Sequence, residues 1–371
     1  MLVLVLAACG TPIGPEQGST SRPVEGRSAP APSDPSAFAP GCQPAPLQAR
    51  AASVLAVGIG EATRADDALP AQVASLGVGG VILLGPNVVD ADQVRALTGG
   101  LRQRAPRGLV VSVDEEGGRV SRLRPIVGAT PSARTLGQRP MTEITSVAAE
   151  RGTVLRDLGF DLALAPVVDA DGGAAGSVIG DRAFAGTADE AGARAGAFVE
   201  GLTRSGVASA AKHFPGQGEL ADSHDGPVVF DAPRDELVAA AAAGFGPVLD
   251  AGAAAVMMSH VSYPALGPLP ASVEPAAYDL LRSFGFDGVA MTDAMNMSAI
   301  APRWPLPEAT VMALVAGADL VLATPGQEAP AMRDAIVTAV GDGRLPEARL
   351  DEAVARVLEL RGEDPATMVC R

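Results

Sequence analysis

The sequence predicts a single α/β domain, a (β/α)8 TIM barrel preceded by a disordered N-terminal tether. Eight short apolar runs recur between residues 53 and 324, and each is nearly continuous rather than alternating. That is the pattern of parallel strands buried on both faces. Ala-rich helical stretches separate the runs. Polar side chains suited to chemistry stand at the C-terminal ends of the runs, the end at which this architecture builds its active sites.

The chain opens with an apolar run, residues 2–8 (LVLVLAA), that stops at Cys9. It is too short to span a bilayer and lacks the positive flank of a complete signal peptide. Leu6-Ala7-Ala8-Cys9 resembles a bacterial lipobox, in which small residues admit the signal peptidase and the Cys thiol carries a lipid. Residues 1–9 then read as a signal remnant whose true start lies upstream. The expected location is extracytoplasmic, on the outer face of the bacterial cell membrane, with membrane contact through the lipid anchor only. Residues 10–41 are rich in Pro, Ser, Gly and Ala with no helical or strand period, so they bury too little surface to offset their ordering entropy. They read as a tether.

The barrel domain is assigned to residues 42–371. Its strand runs are 53–60, 79–85, 108–114, 162–169, 207–213, 254–260, 288–293 and 319–324, with helical stretches such as 90–103, 141–158, 188–204, 235–251 and 326–342. Cys42 and Cys370 bracket it. In a closed barrel the first strand and last helix are neighbours, and export permits oxidation, so a Cys42–Cys370 disulfide is expected.

At 371 residues and 47% hydrophobic composition, the chain is large enough for one decorated barrel. A net charge of −15 excludes nucleic acid as a partner, because a phosphate backbone needs a basic face. Lys212 is the only lysine, in a chain that otherwise uses arginine for positive charge. A lone lysine points to a place where a compact ammonium fits and a planar guanidinium does not.

Asp114, Asp169, Lys212-His213, His260 and Asp293 all fall at the ends of the apolar runs. Any one of them alone reads equally well as a strand-end cap; their gathering on one rim does not. The densest segment is Lys212-His213-Phe214-Pro215-Gly216-Gln217-Gly218, followed by Asp222-Ser223-His224. Together with Asp114-Glu115-Glu116-Gly117-Gly118-Arg119, Gly180-Asp181-Arg182 and Met291-Thr292-Asp293-Ala294-Met295, it closely resembles glycoside hydrolase family 3, and within it the β-N-acetylhexosaminidase branch. The resemblance runs from residue 53 to about residue 361. Many members carry a second α/β domain, and this chain stops short of one.

The resemblance implies Asp293 as nucleophile, forming a covalent glycosyl-enzyme. It implies His224 as acid/base, oriented by Asp222, since an imidazole can give a proton and take it back near neutral pH. Asp114, Arg122, Arg182, Lys212 and His213 are implied to bind sugar hydroxyls, while Glu116 and Arg119 brace the Glu-Gly-Gly turn. The stretch 214–226, with three glycines and one proline, reads as a mobile loop able to carry His224 over a bound sugar. Departures from the family pattern are Gln217 in place of a usual His, a gap from Gly218 to Asp222 one residue shorter, and no asparagine in 170–177. Aromatics make up only 3%, leaving Phe184, Phe214, Tyr263 and Trp304 as the few stacking candidates.

The expected activity is exo-acting, retaining β-N-acetylglucosaminidase action on GlcNAc-containing glycans or muropeptides from peptidoglycan, by a monomer without cofactor or metal. The cysteines have no metal-ligand spacing, and the three histidines fit sugar roles. The alternatives are a phosphorylase, since a His acid/base leaves room for an anionic acceptor, a β-glucosidase of the same family, and a non-catalytic sugar-binding lipoprotein.

Overall fold

The computed structural model describes residues 43–172, 178–218 and 225–370. Cys9, the tether, Cys42 and the two loop residues Asp222 and His224 lie outside the described residues. In chain order the strands are β1 (Leu55–Gly58), β2 (Gly80–Leu83), β3 (Val110–Val113), β4 (Glu115–Gly117), β5 (Val120–Ser121), β6 (Leu162–Ala163), β7 (Ala208–Phe214), β8 (Ala255–Met258), β9 (Val289–Thr292) and β10 (Val321–Ala323). Among the described residues eight of them form one parallel sheet in the order β10-β1-β2-β3-β6-β7-β8-β9. The sheet closes through a parallel bridge between Met291 and Leu320, beside which Thr292 Oγ1 accepts the Leu322 N–H at 3.0 Å. The fold is a (β/α)8 barrel.

Side chains alternate across the barrel wall. Leu55, Val57, Val81 and Val111 pack outward under the helices, while Ala56, Ile82, Val110, Met257 and Met291 fill the interior. Both faces are apolar, which is why the strand runs are continuous in sequence. The strands are shorter than those runs. β6 ends at Ala163, with one further bond from the Leu164 N–H to the Val113 carbonyl at 2.9 Å; the chain rejoins β7 at the bridge between Val167 and Lys212. The hairpin β4–β5, placed directly after β3, was not anticipated from the sequence.

The helices Met141–Asp157, Ala188–Ser205, Arg234–Asp250 and Ala329–Gly341 fall on the predicted stretches. Ala91–Arg104 does too, with Asp90 as its N-cap accepting the Gln93 N–H at 2.9 Å. The first described helix, Leu47–Ser53, is clasped to the last, Glu347–Leu360. Buried Arg50 donates to Glu347 and Asp351, both at 2.5 Å, and to the Ala45 carbonyl at 3.0 Å. The Ala45 N–H reaches the Met368 carbonyl at 2.9 Å, two residues from Cys370. Cys370 is disulfide-bonded, to a partner outside the described residues.

Candidate active site

The site is built on the strand ends of β3, β6, β7 and β9. Beyond β3 the chain leaves Asp114 and doubles back at once through Gly117 and Gly118, both at positive φ (94° and 56°). A Cβ on Gly117 would stand 2.3 Å from the Pro131 carbonyl oxygen and 2.8 Å from the Arg151 guanidinium. Only glycine fits there. The turn carries Glu116 back beneath the end of β7. In β7 the register slips between Lys212 and Phe214, so three residues oppose two on β8. The Lys212–His213 and Phe214–Pro215 peptides are cis. Lys212 and His213 are both buried at the rim.

Lys212 Nζ lies 2.7 Å from Asp114 Oδ1 and 2.7 Å from Glu116 Oε1. Glu116 also accepts from Arg182 Nε and from one Arg182 Nη, at 2.7 and 2.9 Å. Arg122 stands 3.7 Å from the other oxygen of Asp114. Burial alone would raise the Glu116 pKa, but the charges and hydrogen bonds of Lys212 and Arg182 overcome it and hold the carboxyl at about 2. Burial works against the Lys212 ammonium too, and Asp114 and Glu116 more than offset it, so the pKa is raised. This is the place for a point charge with divergent donors, and it explains why the lone lysine is here.

The second half of the site is a chain of three residues. Asp169, fully buried after β6, accepts from His213 Nδ1 at 2.6 Å, so Nδ1 carries the hydrogen. The other ring nitrogen, Nε2, stands 3.9 Å from Asp293 Oδ2. Asp293 follows β9; its Oδ1 accepts the Ala294 N–H at 2.7 Å, and its side chain remains 16% exposed, open enough for a substrate to reach. Burial pushes the Asp293 carboxyl up, yet the imidazoles of His213 and His260, the Ala294 N–H and the Lys212 ammonium hold it below the usual aspartate value. His260 is not part of the open surface. It is buried behind the turn, with Nδ1 2.8 Å from Ser272 Oγ and Nε2 3.0 Å from the Ala294 carbonyl, and so fixes the residue after Asp293.

Six of the sequence-predicted site residues, Asp114, Arg122, Arg182, Lys212, His213 and Asp293, therefore share one charged cluster. Asp222 and His224 lie outside the described residues. The departure at Gln217 is explained in part, because that residue acts through its backbone: its N–H donates to Asp169 Oδ1 at 2.6 Å. Arg119 pairs with Asp181 at 2.7 Å and with the carbonyls of Val178 and Ile179, bracing the turn from outside. Sequence reasoning gave Glu116 only a bracing role in the turn and left Asp169 without one. Glu116 is the shared partner of Lys212 and Arg182, and Asp169 is the anchor of His213. Of the stacking candidates, Phe184, Phe214 and Tyr263 are core residues; Phe214 packs edge-on against Phe245 at 5.0 Å. Trp304 is half-buried, with the Arg303 guanidinium 4.3 Å over its ring.

Acceptors (Asp114), donors (Lys212, Arg122, Arg182) and an ionised carboxylate beside an imidazole suit a polyhydroxylated ligand presenting an electrophilic carbon. Comparison with known proteins points the same way. Residues 47–360 match the sequence profile described as the glycosyl hydrolase family 3 N terminal domain. Over 98% of this chain and 95% of the relative's length, the sequence is 38% identical to the beta-hexosaminidase LpqI of Mycobacterium tuberculosis. The crystal structure of a glycosyl hydrolase of family 3 from Mycobacterium smegmatis superposes with a TM-score of 0.78 at 37% identity, covering 85% of this chain and 97% of that one. The crystal structure of a beta-N-acetylhexosaminidase from Beutenbergia cavernae superposes with a TM-score of 0.75 at 31% identity, covering 85% and 98%.

Proposed function

The chain belongs to glycosyl hydrolase family 3 and is a glycoside hydrolase; from that premise we propose that it is an exo-acting, retaining β-N-acetylhexosaminidase that releases terminal GlcNAc through a covalent intermediate on Asp293. The observation that carries this reading is the state of Asp293: a largely buried carboxylate at a strand end, kept ionised by His213, His260 and Lys212 around it. The names of the LpqI and Beutenbergia relatives support N-acetylhexosamine as the sugar.

In the first step a carboxylate oxygen of Asp293 attacks the anomeric carbon, the glycosidic C–O bond breaks, and His224 passes its proton to the departing oxygen. In the second, water attacks the same carbon, its proton goes to His224, and the C–O bond to Asp293 breaks, so inversion occurs twice and configuration is retained. Asp222 orients His224. Asp114, Lys212, His213, Arg182 and Arg122 bind the hydroxyls. The test is turnover of an aryl N-acetyl-β-glucosaminide by Asp293→Asn and His224→Ala, with and without phosphate. Wild-type rates in Asp293→Asn would overturn the nucleophile, and sugar 1-phosphate as the main product would replace hydrolysis by phosphorolysis.

The same proposal has the enzyme held outside the cell membrane by a lipid on Cys9, with Cys42–Cys370 as its disulfide and GlcNAc-containing muropeptides as substrates. Among the described residues no helix is long and apolar enough to cross a membrane. Metabolic labelling with a lipid precursor, lost in Cys9→Ala, tests the anchor.

A further inference from the structure

Beside the Glu-Gly-Gly turn lies a cleft of about 360 Å³, lined in part by Glu115, that the hydrolase reading does not use. Its walls are apolar: Leu123 at the base, half-buried Val147 and Val154 from the helix Met141–Asp157, and Val127, 37% exposed, at the mouth. Glu115, Thr130 and Arg151 also line it, and each holds a buried polar atom with no hydrogen-bond partner.

Glu115 is 1% and Arg151 8% exposed. Arg151 uses one NH2 group to donate to the Glu116 carbonyl at 2.8 Å and lies 5.5 Å over the Phe198 ring; its other NH2 group is unsatisfied. Glu115 Oε2 accepts the Leu123 N–H at 3.0 Å. The Ser121 hydroxyl, the Arg122 N–H and the Arg151 charge also stand around this carboxyl, but Oε1 itself has no hydrogen-bond partner. Buried polar groups are normally hydrogen-bonded, and three orphans in one apolar cleft mark a place shaped for something else.

The charges select its class. A carboxylate would face Glu115 and the exposed Glu150 on the rim, and an ammonium would face Arg151. A neutral group with adjacent acceptor and donor meets neither repulsion. We propose that this cleft is a second binding site, for small neutral aliphatic amides: the amide carbonyl accepts from Arg151 Nη, the amide N–H donates to Glu115 Oε1, and the alkyl part packs on Val127, Val147 and Val154.

The experiment is a methyl-detected NMR titration of the full chain with isobutyramide, with isobutyrate and isobutylamine as isosteric comparators. Saturable shifts confined to the methyls of Val127, Val147, Val154 and Leu123 are expected with the amide, and binding of each charged isostere about tenfold weaker. Val147→Phe, which fills the cleft and leaves every polar group in place, should abolish the shifts while hydrolysis of the aryl substrate stays unchanged. Arg151→Lys should weaken them. Absence of saturable shifts overturns the site. Equal or tighter binding of isobutyrate overturns the ligand class, and wild-type shifts in Val147→Phe overturn the location. Because binding is read without turnover, the result stands whether or not Asp293 is the nucleophile.

Discussion

Asp169 holds His213 twice with a single oxygen: Oδ2 accepts from ring Nδ1 at 2.6 Å and from the His213 backbone N–H at 3.2 Å. Its other oxygen takes the Gln217 N–H, so one buried carboxylate fixes both the imidazole facing Asp293 and the root of the loop that leads to His224. Asp169→Asn keeps the volume but places an amide N–H where an acceptor is needed. The expected result is a fall in kcat of about 100-fold with a smaller change in KM, the size typical of an active-site group displaced by about 1 Å. Wild-type kcat in this variant would show that the anchoring is dispensable.

The ionised form of Asp293 is the one that attacks. Since its pKa is depressed, the acid limb of kcat/KM should lie below the ordinary aspartate range of about 4. His213→Gln removes the largest of the influences that oppose burial. Its acid limb should therefore move to higher pH, in addition to any loss of rate. A pH profile of the variant that coincides with wild type would count against His213 as a neighbour of the nucleophile.

Lys212→Arg is a stricter test of the lone lysine than removal would be. The charge is kept, but a planar fork must enter a space that is 3% exposed and already shaped by two carboxylates each 2.7 Å from one nitrogen. We expect kcat/KM to fall by more than about tenfold, equal to about 1.4 kcal/mol, mostly through KM. Steady-state kinetics with circular dichroism to verify folding would check this.

Glu116 links the site to acid stability. Its folded pKa of about 2 lies below the ordinary value of 4.5, so the unfolded chain binds more protons between those values. The stabilisation is fully present above pH 4.5 and is lost as pH falls toward 2. Its size at neutral pH is on the order of 3 kcal/mol. In Glu116→Gln, unfolding free energy measured with urea should be lower at pH 7 and should vary less between pH 5 and pH 2 than in wild type.

Cys370→Ser should lower the midpoint of thermal unfolding. In the chain-entropy view a bridge from Cys42 closes a loop of more than three hundred residues, contributing roughly 6 kcal/mol less any strain. Mass spectrometry of wild type alkylated without reductant should find Cys42 and Cys370 unmodified.

The rim residues were legible in the sequence because the strand runs are buried on both faces, so a polar residue closing such a run stands out. Lys212, His213 and Asp293 were found in this way. Partners were harder to read. Glu116 looked like a turn residue because its two cations, Lys212 and Arg182, are remote in sequence and meet it only through the barrel. His260 was visible at a strand end, but its task, holding the Ala294 carbonyl, depends on Ser272 and on the neighbouring strand. The hairpin after β3 was missed because its strands are three and two residues long and carry no alternating pattern.

The clasp of Arg50 on Glu347 and Asp351, together with the Ala45–Met368 hydrogen bond, gives the barrel the topology of a ring rather than a line. Residues near the two ends of the described chain are joined by direct hydrogen bonds. A circularly permuted gene, fused across this junction and reopened at an exposed turn such as Gly343, would preserve every strand neighbour and every rim residue. In a ring the order of synthesis is incidental to the architecture.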